Sequence, residues 1–177
     1  MKILLIILLL SSSLFSSHLS KLYLFYEKQK YDKGCDYGLK YFRKNRNDEK
    51  YLTLYGLSCV ETDNIDRIST VIPRLRKTEK SRENSSYFAT ILLQKQLLKQ
   101  AILDEKYLSD LHLPQTNFII SKIFNMFVQK RFVLKNKIYK LEDREDKSIK
   151  YQLYIDKEHM IIDVYQSDKF TKRYRYE

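Results

Sequence analysis

The apolar residues of this chain change their spacing once, near residue 130, and that change limits the fold more than any single motif. Between residues 21 and 130 they recur at the interval of one helix face. Beyond that point they alternate with polar residues, as in a strand with one buried side. The pattern predicts an α+β protein, with helices first and a small antiparallel sheet after them.

The helical stretch divides into stripes. Leu22, Phe25 and Tyr26 begin the first; Cys35, Leu39 and Phe42 make a second; Leu52, Leu54, Tyr55 and Cys59 a third; Ile65, Ile68, Val71, Ile72 and Leu75 a fourth. Turn-forming polar residues at 45–48 and 62–64 separate them, and Asp63 or Asn64 is placed to cap the next helix. Tyr87, Phe88, Ile91, Leu92, Leu98, Ala101 and Ile102 read as one longer helix. A further helix is expected over 116–130, after Pro114, and residues from Phe118 to Val128 make it apolar on most sides. It therefore needs more than one partner surface.

In the last part, Ile149, Tyr151, Leu153 and Ile155 share one strand face, as do Met160, Ile162 and Val164 in the next segment. Phe170, Lys172, Tyr174 and Tyr176 alternate with Thr171, Arg173 and Arg175. The gaps at 156–159 and 166–169 are turn-sized, so these strands should form a meander. Residues 137–141 add a fourth strand ahead of a charged loop at 142–147. A sheet this small has too little apolar surface for a private core and is expected to lean on the 116–130 helix.

The first seventeen residues, MKILLIILLLSSSLFSS, have the layout of a secretory signal peptide: Lys2, an apolar run over 3–10, and a serine-rich stretch in which Ser13, Ser16 or Ser17 precedes the cut. The competing reading is an uncut anchor. A spanning helix needs roughly 20 apolar residues, and this run is shorter and interrupted by serines. The expected division is 1–17 signal peptide, 18–130 helical domain and 131–177 sheet. Export, most simply to a bacterial periplasm, follows from the leader, with no membrane span once it is removed.

A shift of 34 residues lays Phe25 on Cys59, Gln29 on Asp63, Tyr31 on Ile65 and Gly34 on Ile68. The segment FYEKQKYDKGCDYGLKYF resembles the tetratricopeptide repeat, with an aromatic pair, a turn, then Tyr-x-x-small opening a second helix and Gly34 in the small position. YLTLYGLSCVETDNIDRIS is similar to a second copy, with Gly56 at the close contact between paired helices. Departures accompany this: in the second copy Cys59 takes the place of a large residue and Ile68 that of the small one, Pro73 falls inside its second helix, where it should kink or delay the helix, and no third copy follows. The long helix, with the 116–130 helix, is expected to cover the open end.

The resemblance implies binding of a protein or peptide partner rather than catalysis, and makes Tyr23, Tyr26, Tyr51 and Tyr55 candidate groove residues on the first helices. It also places Cys35 and Cys59, the two cysteines of the chain, on neighbouring helices. In an oxidising compartment that pair invites a disulfide; the other reading is two small buried hydrophobes.

Recognisable chemistry is sparse. His18, His112 and His159 lie far apart without a second ligand at metal-site spacing, so no metal is expected. His159 and Asp163 share a strand face, which raises an acid–base pair; a solvated turn histidine beside a carboxylate paired with lysine or arginine is the ordinary alternative. With three glycines and no nucleophile elbow or phosphate loop, neither a cofactor nor a catalytic residue is expected. Asn84-Ser85-Ser86 matches a glycosylation pattern. The net charge of +11 suits an anionic envelope polymer or lipid surface as a second kind of partner; nucleic acid is not indicated, because no recognition module is present.

Overall fold

The computed structural model describes residues 17–109 and 111–177. The apolar run and all but the last residue of the expected signal peptide lie outside the described residues. The first helix, α1 (His18–Glu27), begins at Ser17, whose hydroxyl accepts the Ser20 N–H at 3.1 Å and so satisfies one of the unpaired donors of the first turn. Three residues later α2 (Tyr31–Lys40) packs back on it. A one-turn helix, α3 (Phe42–Asn45), leads into α4 (Glu49–Glu61), whose cap is Asp48, accepting from the N–H groups of Lys50 and Tyr51.

Small residues set the spacing of these helices. A methyl group on Gly34 of α2 would lie 2.6 Å from the Ser58 hydroxyl on α4, and one on Gly56 of α4 would meet the Phe88 ring. Gly56 thus faces the long helix that follows rather than its own paired segment. Leu39, expected on the buried stripe, is exposed: the helix breaks at Tyr41, between the end of α2 at Lys40 and the start of α3 at Phe42, so Cys35, Leu39 and Phe42 do not form one continuous helix face.

The fourth stripe is not an α-helix. Residues Ile65–Thr70 and Ile72–Arg74 form two short 3-10 segments. Pro73 lacks an N–H, and its ring disfavours the α conformation at Ile72; the tighter three-residue turn still carries Ile65, Ile68 and Val71 to one buried side. The long helix, α5 (Glu79–Leu103), starts eight residues earlier than the apolar pattern indicated, because Thr78 caps it by accepting the Ser81 N–H. The next helix, α6 (Ile119–Val128), is shorter than expected, starting after Phe118, while the Ser121 hydroxyl reaches back to the Thr116 N–H.

Five strands follow in meander order: β1 (Val133–Lys135), β2 (Ile138–Glu142), β3 (Ile149–Asp156), β4 (His159–Gln166) and β5 (Lys169–Tyr176). All neighbours are antiparallel. β1 was not anticipated; its three residues are exposed and carry no alternation. The hairpins at 136–137, 157–158 and 167–168 all hold both turn residues at positive φ without a glycine. Between β4 and β5 the register shifts at Val164 and Tyr165. That bulge turns Phe170 away from the face of Lys172, Tyr174 and Tyr176 and against Tyr165, with ring centroids 5.9 Å apart, so the simple alternation expected for β5 fails at its start.

Helices and sheet share one apolar cluster, from Leu22 and Tyr51 through Phe88 and Phe124 to Leu153, Ile162 and Tyr176. Contact between α6 and the sheet is direct. Phe127 stacks on Phe132 and meets Tyr139 at 5.2 Å, and Lys122 forms an ion pair with Asp143 beside Tyr151.

Candidate functional site

An apolar depression in the helical part lies where α1, α4 and the start of α5 converge. Leu19 and Tyr23 of α1, Thr53 and Leu54 of α4, and Lys80 and Asn84 of α5 are among the residues around a groove of about 630 Å³. Each helix presents one side to it because the opposite side is buried: Leu22 on α1, Leu52 and Tyr55 on α4, Phe88 on α5.

Glu49 fixes the groove's edge. Its carboxylate accepts the N–H groups of Arg76 and Lys77 at 2.8 Å each and that of Thr78 at 3.4 Å, clipping the first turn of α4 to the strand of chain that enters α5. Desolvation alone would raise its pKa, but those N–H donors and the Ser81 hydroxyl more than reverse this and hold it at about 2. Sequence reasoning did not find this role. A glutamate one residue after a capping aspartate reads as an ordinary first-turn acid.

Of the four tyrosines named from the sequence, Tyr23 lines the groove and is 56% exposed. Tyr26 lies outside it, half-buried edge-on to Tyr31, and its hydroxyl pKa is raised by burial and by Glu61. Tyr51 and Tyr55 are fully buried. The Tyr51 hydroxyl donates to the Tyr37 and Gly38 carbonyls, both at 3.2 Å, fastening α4 to the end of α2. Tyr55 fills the space left by the missing side chain of Gly38, and burial pushes its hydroxyl up to about 12. These two hold the wall in place and offer no surface to a partner.

Cys35 and Cys59 stand at disulfide distance, with sulfurs 2.07 Å and α-carbons 4.8 Å apart, linking α2 to α4. Arg67 lies over the pair, with Nη1 3.4 Å from Cys35 Sγ and 2.7 Å from Asp36 Oδ1.

His159 and Asp163 do share a face of β4, but their partners differ. His159 Nδ1 is 2.8 Å from the Lys157 carbonyl oxygen and near the Arg175 guanidinium. Asp163 accepts two bonds from Arg173, at 2.7 and 2.8 Å, and one from the Tyr154 hydroxyl at 3.0 Å. The Arg173 contacts lower its pKa against the raising effect of burial. A carboxylate closed in this way is a structural pair, with no free oxygen aimed at the histidine.

His18 Nδ1 meets the Tyr37 hydroxyl at 2.8 Å, and its ring stacks on Tyr41. Among the described residues no three or more His, Cys, Asp or Glu side chains are grouped to hold a metal ion. Asn84 sits within α5, half-buried at the groove, which is not the exposed loop a glycan acceptor needs. No helix of the described residues is long and apolar enough to cross a membrane. No protein family, curated protein or solved structure matches the chain.

Proposed function

We propose that this is an exported, non-enzymatic scaffold whose tetratricopeptide-like helices present a groove to a protein or peptide partner. The observation that carries the reading is the position of the groove between α1, α4 and α5. Two pairs of its lining residues stand at the repeat spacing, Leu19 with Thr53 and Ser20 with Leu54, each 34 residues apart. In a repeat stack, successive first helices line one continuous surface. The pairing of Cys35 with Cys59 agrees with assembly in an oxidising compartment, and a groove that is mostly apolar with lysines at its rim suits an amphipathic segment.

The test is site-specific cross-linking in the native envelope fraction. A photoreactive residue at Tyr23 should capture one defined partner, at low and high salt alike, and Thr53→Arg should abolish the capture without lowering the melting temperature. Equal capture from a photoreactive residue on β1 at Lys135, outside the groove, or capture indifferent to Thr53→Arg, would reject the groove as the site.

A further inference from the structure

Beside the groove, on the other side of the Glu49 clip, two cationic loops meet. Arg46 and Asn47, which follow α3, face Pro73, Arg74, Arg76 and Lys77 across a crevice of about 530 Å³. Among the described residues, none of these four cations forms an ion pair; the ion pairs are made by other lysines and arginines. The nearby acids are committed elsewhere: Asp48 caps α4, and Glu49 accepts main-chain N–H groups.

The roots of the cationic side chains are held in place. Glu49 grips the main chain at Arg76 and Lys77 from one side. From the other, the Arg82 guanidinium donates to their carbonyls at 3.2 and 3.0 Å. Arg74 lies over the Phe42 ring, 5.6 Å from its centroid. Four cations around one concave surface outnumber the two carboxylates at its edge, Asp48 and Glu49, and an anion placed among them relieves the remaining repulsion. Guanidinium groups match the paired oxygens of a phosphate in particular.

We infer that this crevice binds a phosphate group, carried by an anionic lipid headgroup or by a soluble phosphate ester. A second cationic crevice, beside β1 and β2, is lined by Arg131, Lys135, Lys140, Arg144 and Lys147 together with Glu142 and Asp143, and so serves as the control for diffuse charge. The inference does not depend on a peptide occupying the neighbouring groove.

The full-length secreted protein is titrated with inorganic pyrophosphate by calorimetry. It is also sedimented with phosphatidylglycerol or phosphatidylcholine vesicles at about 0.15 M salt. Two double variants with the same charge change are compared, Arg74→Glu/Arg76→Glu and Lys135→Glu/Lys140→Glu. The first should lose at least about tenfold in affinity and the second should bind as the unaltered protein does. Arg76→Gln/Lys77→Gln, which keeps every main-chain contact to Glu49, should weaken binding in the same direction and guards against misfolding of the reversed variant. Binding to phosphatidylglycerol that pyrophosphate displaces identifies the headgroup; binding of pyrophosphate without vesicle binding identifies a soluble ester. Equal losses in both double variants would reduce the effect to diffuse charge and overturn the inference, as would failure of the unaltered protein to bind pyrophosphate.

Discussion

Lys95 lies with its side chain 2% exposed and its ammonium paired to Asp66, a residue that is itself 38% exposed. The ammonium also donates to the main-chain oxygen of Glu177. One buried charge therefore ties α5 to the 3-10 segment that replaces the fourth helix and to the end of β5. The two partners differ in access to water, so their removal should differ in cost. Asp66→Ala leaves the buried ammonium with the Glu177 oxygen alone and should destabilise by about 3 kcal/mol. Lys95→Met leaves a carboxylate that water can reach and should cost about 1–2 kcal/mol. Urea denaturation of both variants decides it, and equal losses would count against this asymmetry.

Reduction of the Cys35–Cys59 pair should lower stability by about 3 kcal/mol, from the loop entropy returned to the unfolded chain. Digests made with and without reductant should differ by one linked peptide pair. A double Cys→Ser variant with the midpoint of the oxidised protein would show that the link contributes nothing.

Asp143 supplies a pH dependence. Its side chain is buried, which would raise its pKa, yet the Lys122 ammonium, the Glu145 N–H and the Tyr151 hydroxyl bring it down to about 2. A carboxyl lowered by folding stabilises the native state at pH values above its unfolded pKa, near 4, and loses that contribution as pH falls through 2. Because Lys122 is partly solvated, roughly 1–2 kcal/mol is expected to disappear across this window. Asp143→Asn should be less stable than the unaltered protein at pH 7 and should converge on it toward pH 2; parallel curves would refute the assignment.

The hairpin between β3 and β4 places Lys157 at φ 45° and Glu158 at φ 70°. Side chains with a β-carbon resist this region, and Asn-Gly suits such two-residue turns. Lys157→Asn/Glu158→Gly should therefore raise stability by about 1 kcal/mol, read as a higher thermal midpoint. An unchanged or lower midpoint would mean that the present turn is not strained.

The sequence division ends the leader at residue 17, but the Ser17 hydroxyl caps α1, a contact whose loss costs about 1 kcal/mol, so the cut is expected ahead of Ser17. N-terminal sequencing should find Leu14 or Ser17 first. A start at His18 would contradict the capping argument, and retention of Met1 would reject cleavage.

The order of helices and strands was legible because burial imposes its period directly: Leu22, Leu52, Phe88 and Ile123 on the helices and Tyr151, Leu153, Met160 and Ile162 on the strands are all core residues. The 3-10 segments were hidden because Ile65, Ile68 and Val71, three apart, satisfy either helical form. Tyrosine is ambiguous by nature, apolar in its ring and polar at its tip, so Tyr23 at the groove and Tyr51 in the core look alike in sequence. Lys95 could not be recognised as buried, since its partners lie 29 residues before it and 82 after it. The cationic crevice was masked by a chain that is basic throughout.

α5 is 25 residues long, about 37 Å at the usual rise per residue. Lys80 and Asn84 near its start border the groove, and Lys95 near its other end anchors β5. Thermodynamic linkage then runs along a single rigid rod. A partner that binds the folded groove should slow amide hydrogen exchange in β5 without touching the sheet.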